Sequence, residues 1–261
     1  MFGMRTPAAP PVPARTSSLQ AGYRAYVIGD IHGRADLLAD LIAIIKADSV
    51  LRPGPGTNVV IYLGDYVDRG PQSRQVIDLI LSKPLPGFSE VRLQGNHEET
   101  WLRFLTDPSI GPKWSSYGGD ATLLSYGVHA RPELVGFDRY EDMRRQLVEL
   151  MPPAHVKFLR ELSLSCVAGD YLFVHAGIRP GVAIDRQLPR DLLWIRDDFL
   201  DSEQDYGQIV VHGHTPFDKP DVRHNRIGID TNAFASGRLT CLILEGEQRH
   251  FLSTGAQARA A

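Results

Sequence analysis

The sequence predicts an α/β fold, and two observations lead to this prediction. Short apolar segments of strand length alternate with longer amphipathic segments of helical period through the first hundred residues. Four further apolar segments, each bounded by turn residues, follow in the last hundred. Repeated strand–helix units with short connections are typical of a mostly parallel sheet that is covered by helices.

The individual elements follow from the same patterns. We expect three strands, in RAYVIGD, NVVIYLGD and EVRLQGN, and each leads into a helix. The helices are predicted in residues 35–47, in SRQVIDLILSK and in a segment that begins with HEETWLRFLT. Residues 107–165 indicate helices and loops, and strands are predicted in DYLFVHAG, QIVVHGHT, RIGIDTN and RLTCLILE. Residues 1–22 are rich in Pro, Ala and Ser and lack periodicity, which predicts a flexible tail ahead of a single domain, 23–261.

The composition argues against several classes of function. With 43% hydrophobic and 23% charged residues among 261, the chain has the composition of an ordinary globular protein. A net charge of −3 provides no general attraction to nucleic acid or to an anionic membrane, so we expect neither as a partner. No apolar run approaches 18 residues, the length that a membrane-spanning helix requires. We expect the protein to be a monomer. Cys166 and Cys241 lie in apolar runs, which favours two reduced thiols in a cytoplasmic protein over a disulfide.

Five polar segments each follow an apolar strand: GDIHG, GDYVDRG, GNHE, HAG and HGHT. Taken singly, each segment is explained as a turn or as a buried structural histidine. Together they contain five of the nine histidines, and ligand sites in α/β folds collect at the carboxyl ends of the strands. We therefore expect these segments to converge on a shared metal site.

The donor atoms in these segments indicate which metals the site would bind. Asp, Asn and His supply the oxygen and nitrogen ligands that suit Mn, with Fe and Zn as alternatives. Asp30 and His32 lie on the same side of an extended segment, so one ion can take both. A carboxylate such as Asp65 can bridge two ions, roughly 3.5–4 Å apart in a site for in-line displacement at phosphorus. The second ion would be completed by Asn96, His175 and His214.

GDIHG, GDYVDRG and GNHE in this order resemble the signature of the PPP-type metal-dependent serine/threonine protein phosphatases, within the calcineurin-like metallophosphoesterases. The separations fit that signature, with 35 residues from Asp30 to Asp65 and 31 from Asp65 to Asn96, as do HAG, LLWIRDDF and HGHT. The resemblance covers roughly residues 24–252. The segment YGGDATLLSYG resembles the bacterial members of this family. One departure is Asn232, where a glycine is expected, although Asn also tolerates a left-handed backbone.

The resemblance implies a fold and a ligand set. The fold would be two mixed β-sheets packed face to face and flanked by helices, with the two divalent metals at the carboxyl ends of the strands. The first ion would be held by Asp30, His32 and Asp65. The second ion would be held by Asp65, which bridges, together with Asn96, His175 and His214.

The resemblance also implies catalytic roles. His97 would be the general acid, and Asp68 would orient it. Arg69 and Arg196 would hold the phosphate oxygens. His212 would lie next to the ligands without binding metal. A hydroxide activated by the two metals would attack the phosphorus directly, without a phosphoenzyme. A competing role for His97 is that of a further ligand to the second ion.

Three functions are compatible with these motifs. The first is hydrolysis of a phosphomonoester, with a phosphorylated protein as the expected substrate and a small phosphorylated molecule as the other choice. The second is hydrolysis of a dinucleoside polyphosphate, for which GNHD and a divergent VDRG would be expected. The third is an inactive metal-binding scaffold, which would lack a ligand or His97. GNHE and VDRG are intact, which favours the serine/threonine phosphatase.

Overall fold

The computed structural model describes residues 17–54 and 56–255, and they form two five-stranded mixed sheets. The first sheet has the spatial order β10 (Gln248–Ser253), β9 (Thr240–Glu245), β1 (Tyr23–Ile28), β2 (Thr57–Tyr62) and β3 (Ser89–Arg92). The second has the order β4 (Ser165–Ala168), β5 (Tyr171–Val174), β6 (Ile209–His212), β8 (Arg226–Gly228) and β7 (Asp221–Val222). Each sheet has three parallel strands, β1–β2–β3 and β5–β6–β8, and antiparallel strands beside them.

Ten α-helices connect the strands in the described part of the chain. They are α1 (Ala35–Leu51), α2 (Ser73–Leu81), α3 (Asn96–Phe104), α4 (Gly111–Ser116), α5 (Gly119–Ser125), α6 (Gly136–Leu150), α7 (Pro153–Arg160), α8 (Pro189–Trp194), α9 (Asp197–Leu200) and α10 (Ala233–Ser236). Within the described residues, no helix combines the length and the apolar character that crossing a membrane requires. Helix α1 ends four residues later than predicted, because Asp48 accepts a hydrogen bond from Tyr26 Oη at 2.8 Å and keeps the last turn on the first sheet.

The two sheets pack face to face through a continuous apolar layer. Between the sheets, side chains of the first sheet contact Phe173 and Val211 of the second. These side chains are Val27, Leu242 and Leu63, which directly follows β2, and all five residues are buried. Alternate side chains of each strand point the other way, so that Tyr26 and Ile28, for example, pack in the layer between the first sheet and the helices. Both faces of the central strands are therefore buried, which explains their nearly unbroken apolar sequences. The predicted two-sheet architecture is confirmed.

Residues 17–19, within the predicted flexible tail of 1–22, pack on the domain. Leu19 is 3% exposed within the layer between the sheets, and its N–H donates to the carbonyl of Gly246 at 2.8 Å. Ser18 N–H donates to Asp170 Oδ2 at 2.9 Å. A single apolar residue among polar ones has no period, so the sequence pattern could not reveal this contact. Residues 1–16 of the predicted tail lie outside the described residues.

Three strands were not predicted, and all three lie at the edge of a sheet. They are β4, β7 and β10, of which β7 has two residues and β4 has four. Edge strands bury only part of their side chains, and β10 alternates exposed and half-buried positions without a clear apolar face. Such short or weakly patterned segments resemble loops when only the sequence is considered.

Leu242→Ala should strongly destabilise the protein, because Leu242 is fully buried between the sheets. We expect the free energy of unfolding to fall by about 2–5 kcal/mol, as for other buried Leu→Ala changes. Leu51→Ala makes the same chemical change at a side chain that is 80% exposed, and should stay within about 0.5 kcal/mol of the parent. Urea denaturation followed by circular dichroism measures both. Equal losses would contradict the packed layer between the sheets.

Candidate metal centre

The five polar segments meet where the carboxyl ends of both sheets come together. His214 N–H, after β6, donates to Asp30 Oδ2, after β1, at 2.9 Å. His175 Nε2, after β5, lies 2.9 Å from Asn96 Oδ1, after β3. Asp65, which follows β2, lies between these pairs, and all five side chains are buried. The predicted convergence of the strand ends is thus observed in the structure.

The backbone at this edge is held in an unusual conformation. Five of the seven non-glycine residues with a positive φ among the described residues are predicted site residues: His32, Asp65, Asp68, Arg69 and His214. Such left-handed backbone costs about 1–3 kcal/mol per residue and concentrates at functional sites. Asn232 also has a positive φ, 58°, as its replacement of a glycine predicts.

Glu98 fixes the loop that follows β2. Its carboxylate accepts the backbone N–H groups of Asp65 at 2.9 Å, Tyr66 at 2.8 Å and Gly95 at 2.9 Å. The side chain is fully buried, and although burial and the charge of Asp65 raise its pKa to about 8, the three N–H donors stabilise the ionised form. Glu98 was not predicted as a site residue. Glu98 stands three residues after Gly95, the N-cap of α3, where a capping box has its glutamate, but the glycine lacks the hydroxyl that usually marks this motif in a sequence.

One half of the centre contains Asp30, His32 and Asp65. His32 Nδ1 donates to the carbonyl of Val67 at 2.9 Å, which leaves Nε2 free and 3.5 Å from Asp65 Oδ2. Asp30 Oδ1 is buried and has no hydrogen-bond partner. An ionised oxygen without a partner is costly in the interior unless a cation satisfies it.

The other half contains Asp65, Asn96, His175 and His214. His175 Nδ1 donates to the carbonyl of Leu63 at 2.9 Å, so its Nε2 faces Asp65 Oδ1 at 3.4 Å. His214 Nδ1 lies 2.8 Å from Asn96 Oδ1. Asp65, His175 and His214 place one ligand atom each within 4.8 Å of one another, as do His32, Asp65 and His97. Asp65 belongs to both groups, which is the position expected of a bridging ligand.

The charges at this edge favour divalent cations. Burial raises the pKa of Asp30 well above its usual range, and the carboxylates of Asp230 and Asp65 add to the shift. Burial lowers the pKa of His32 to about 3 and that of His214 to about 2, so both imidazoles are neutral, which is the form that binds metal. Neutral imidazoles cannot balance the buried carboxylates. The residues present therefore fit divalent metal ions, which supply positive charge to exactly this kind of oxygen and nitrogen donor set.

His97 is held by Asp68 beside this centre. His97 Nδ1 donates to Asp68 Oδ2 at 2.7 Å, and Asp68 also accepts Trp114 Nε1–H at 2.8 Å and Thr122 Oγ1–H at 2.6 Å. Burial opposes protonation of His97, but Asp65 and Asp68 raise its pKa to about 9. His97 Nε2 is 3.8 Å from Asp65 Oδ2 and faces the centre. Because His97 also belongs to a ligand group with His32 and Asp65, its role as the acid stays a prediction.

Trp114 and Thr122 were not predicted as site residues. They lie on α4 and α5, far along the chain from GDYVDRG, and only the packing of these helices brings them to Asp68. Asp230, after β8, was also missed, although it is buried and its carboxylate acts on the pKa of Asp30. Its segment, RIGIDTN, has the same sequence pattern as the other strand ends: an apolar strand is followed by a carboxylate.

The two predicted phosphate-binding arginines lie at the exposed mouth of the centre. The Arg69 guanidinium stands 5.1 Å from the centroid of the Phe234 ring, and Arg196 Nη1 donates to Thr215 Oγ1 at 3.3 Å. Neither forms an ion pair with a carboxylate of the described residues. Burial raises the pKa of Asp230 to about 6, and the charges of Arg69 and Arg196 partly oppose this shift, which places them near the buried carboxylates. Their role in holding phosphate stays a prediction.

His212 is separate from the ligand groups. Its Nδ1 donates to the carbonyl of Gly213 at 3.0 Å, and its ring packs edge-on against Phe199 at 5.1 Å. Burial lowers its pKa to about 4. These contacts agree with its predicted place as a neighbour of the centre.

A two-sheet sandwich with buried carboxylates and histidines at one edge is compatible with a metal-dependent phosphoesterase. Residues 23–240 match the calcineurin-like phosphoesterase family, and the chain belongs to this family. Its relatives include bis(5'-nucleosyl)-tetraphosphatase PrpE [asymmetrical] of Anoxybacillus flavithermus, which is 26% identical over 83% of this chain and 88% of that protein. Serine/threonine-protein phosphatase 2 of Escherichia coli is 28% identical over 82% of this chain and 90% of that protein.

Solved structures share the fold. A candidate diadenosine tetraphosphatase aligns with a TM-score of 0.57 and 19% identity, over 91% of this chain and 98% of the other. A protein serine/threonine phosphatase of Saccharomyces cerevisiae with similarity to human PP5 aligns with a TM-score of 0.50 and 16% identity, over 92% and 82%. At these identities the likeness concerns the fold alone. The superfamily that the motifs indicated is confirmed.

Gly213→Ala should prevent metal binding in the half of the centre that contains Asp30, while the fold stays intact. A Cβ atom at Gly213 would lie 2.0 Å from Asp30 Oδ1, and the nearest atoms it meets all belong to the Asp30 side chain. The carboxylate would have to move away from its ligand position. We expect about one metal ion fewer per chain by elemental analysis, with an unchanged circular dichroism spectrum.

Gly54→Ala is the matched control, because a Cβ atom there meets no atom closer than 3.4 Å. This variant should keep the metal content of the parent. Full metal content in Gly213→Ala would show that Asp30 is not a ligand.

Proposed function

We propose that this protein is a phosphomonoester hydrolase that removes phosphate from phosphoserine or phosphothreonine in proteins. The observation that carries the proposal is the buried pair of His97 and Asp68, with their 2.7 Å hydrogen bond. An alkoxide is a poor leaving group and requires a proton as the bond to phosphorus breaks. A histidine whose Nδ1 is bound to a carboxylate and whose Nε2 faces the metal centre can supply it.

The roles of the side chains follow from their positions. Two bound divalent ions would neutralise phosphate oxygens and lower the pKa of a water molecule to about 7. His97 would donate its proton from Nε2, since Nδ1 is bound to Asp68. Arg69 and Arg196 would each hold phosphate oxygens through their planar guanidinium groups. Water would attack the phosphorus directly, and neither Cys166 nor Cys241 takes part.

Dinucleoside polyphosphate hydrolysis is the second candidate, and the PrpE relative favours it. The leaving group there is a phosphate, whose pKa near 6–7 allows it to leave without a proton. That reaction makes little use of a buried acid. The serine/threonine phosphatase relative supports the first candidate at a similar level of identity.

A substrate panel tests the proposal directly. The purified protein is stripped with a chelator, reloaded with manganese, and assayed on a phosphoserine peptide, p-nitrophenyl phosphate and diadenosine tetraphosphate. We expect no hydrolysis after stripping and the highest kcat/KM on the phosphopeptide after reloading. A clear preference for diadenosine tetraphosphate would establish the second candidate. Full activity of the stripped protein would overturn both.

His97→Asn tests the acid specifically. General acid catalysis contributes roughly 10²–10⁴-fold in rate. The serine alkoxide requires nearly all of it, whereas p-nitrophenolate leaves readily without a proton. We therefore expect kcat/KM to fall far more for the phosphoserine peptide than for p-nitrophenyl phosphate, with the metal content unchanged.

His224→Asn is the control, since its exposed side chain lies near Glu203, away from the centre. It should leave both substrates unaffected. Equal losses on both substrates in His97→Asn, together with missing metal, would make His97 a ligand.

A further inference from the structure

The acid shows where the leaving group of the substrate must lie. His97 has to contact the oxygen that departs, so the residues beside its ring border the leaving group. In a phosphorylated protein, the leaving group is the whole polypeptide. Side chains next to His97 that do not hold metal or phosphate are therefore placed to choose among phosphopeptides.

Two half-buried aromatic residues border this space. The Tyr117 ring lies 6.1 Å from the His97 ring, between centroids, and 5.9 Å from the Trp194 ring. The Trp194 ring in turn lies 6.4 Å from that of His214. Tyr117 and Trp194 thus form an aromatic wall that runs from the acid to a ligand of the second ion.

Lys113 stands over this aromatic wall. Its Nζ atom is 5.9 Å from the centroid of Tyr117 and 5.7 Å from that of Trp194, within the range of cation–π attraction. The side chain is exposed, and no carboxylate of the described residues forms an ion pair with it.

The position of Lys113 is tied to the catalytic pair. The next residue, Trp114, is buried and donates to Asp68 Oδ2 at 2.8 Å. A Cβ atom at Gly119 would meet the Trp114 ring at 2.5 Å, so α4 and α5 are closely packed at this point. The helix that carries Lys113 is therefore anchored to the group that orients His97, which fixes the backbone of Lys113 beside the aromatic wall.

We propose that Lys113, together with Tyr117 and Trp194, forms a subsite for an acidic residue next to the phosphoserine of the substrate. This inference rests on the proposed function. Arg69 and Arg196 are placed to hold the phosphate, whereas Lys113 touches rings that contact His97 and His214. An aspartate or glutamate in the leaving polypeptide would provide the carboxylate that Lys113 lacks, and its neighbouring backbone would pack on the aromatic wall.

Two phosphoserine peptides of equal length test the subsite, one with glutamates beside the phosphoserine and one with alanines there. The manganese-loaded protein should have a kcat/KM about two- to fivefold higher on the acidic peptide, the range of an exposed ion pair. Lys113→Gln should abolish this preference, and Lys113→Glu should reverse it. The preference of the parent should also shrink as salt is raised, because the charges are exposed.

Lys46→Gln is the matched control, since Lys46 is an exposed lysine on α1 and its loss changes the net charge equally. It should retain the preference. If both peptides are hydrolysed but Lys113→Gln keeps the preference, or the parent has none, the subsite is refuted and the proposed function stands. If neither peptide is hydrolysed and diadenosine tetraphosphate is, the proposed function fails and the acidic-peptide subsite fails with it.

Discussion

Negative charge buried at one edge of the sandwich is the constraint on which the rest of the site depends. Asp30, Asp65, Asp68, Glu98 and Asp230 are all buried there, and an unpaired buried carboxylate costs several kcal/mol. Backbone N–H groups satisfy Glu98, and a protonated His97 with two neutral donors satisfies Asp68. No such partners serve Asp30 Oδ1. The raised pKa of Asp30 means that protonation would relieve this cost, and a bound divalent cation would relieve it as well, so protons and metal compete at this edge.

The same edge also contains strained backbone, and the scaffold explains how it persists. The positive φ angles of Asp65, Asp68 and Arg69 fall in one loop of five residues. Glu98 pins the beginning of that loop through its backbone N–H groups, and Ser73 Oγ and Thr122 Oγ1 accept the N–H of Asp68 further along. These anchors belong to α3, α2 and α5, which pack on the first sheet. Rigid elements therefore hold the ligands in place before metal binds, and this preorganisation spares the site the cost of ordering them.

The sequence predicted which side chains meet at this edge because each one closely follows a strand, and their role as metal ligands stays a prediction. An apolar run that ends in Gly-Asp or Gly-Asn places the polar side chain at the sheet edge, whatever the rest of the chain does. Trp114 and Thr122 could not be predicted in this way, because they reach Asp68 only through the packing of helices that are 46 and 54 residues away in the chain. Leu19 was missed for a similar reason, since a lone apolar residue has no pattern. Local sequence patterns predict the strands and the residues at their ends, whereas contacts between residues that are far apart in the chain do not follow from such patterns.

Substrate choice must arise outside the metal edge. Metal ions and arginines recognise the phosphate, which every phosphate ester shares, so they cannot distinguish one leaving group from another. Two properties of the leaving group differ between substrates: its need for a proton and its charge. Under the proposed function, the pair of His97 and Asp68 would respond to the first, and Lys113 on its aromatic wall would respond to the second. Both depend on α4, since Trp114 holds Asp68 and Lys113 precedes it in the same helix. A change in α4 would therefore alter specificity while the metal ligands stay as they are, which gives related enzymes a way to acquire different substrates on one metal centre.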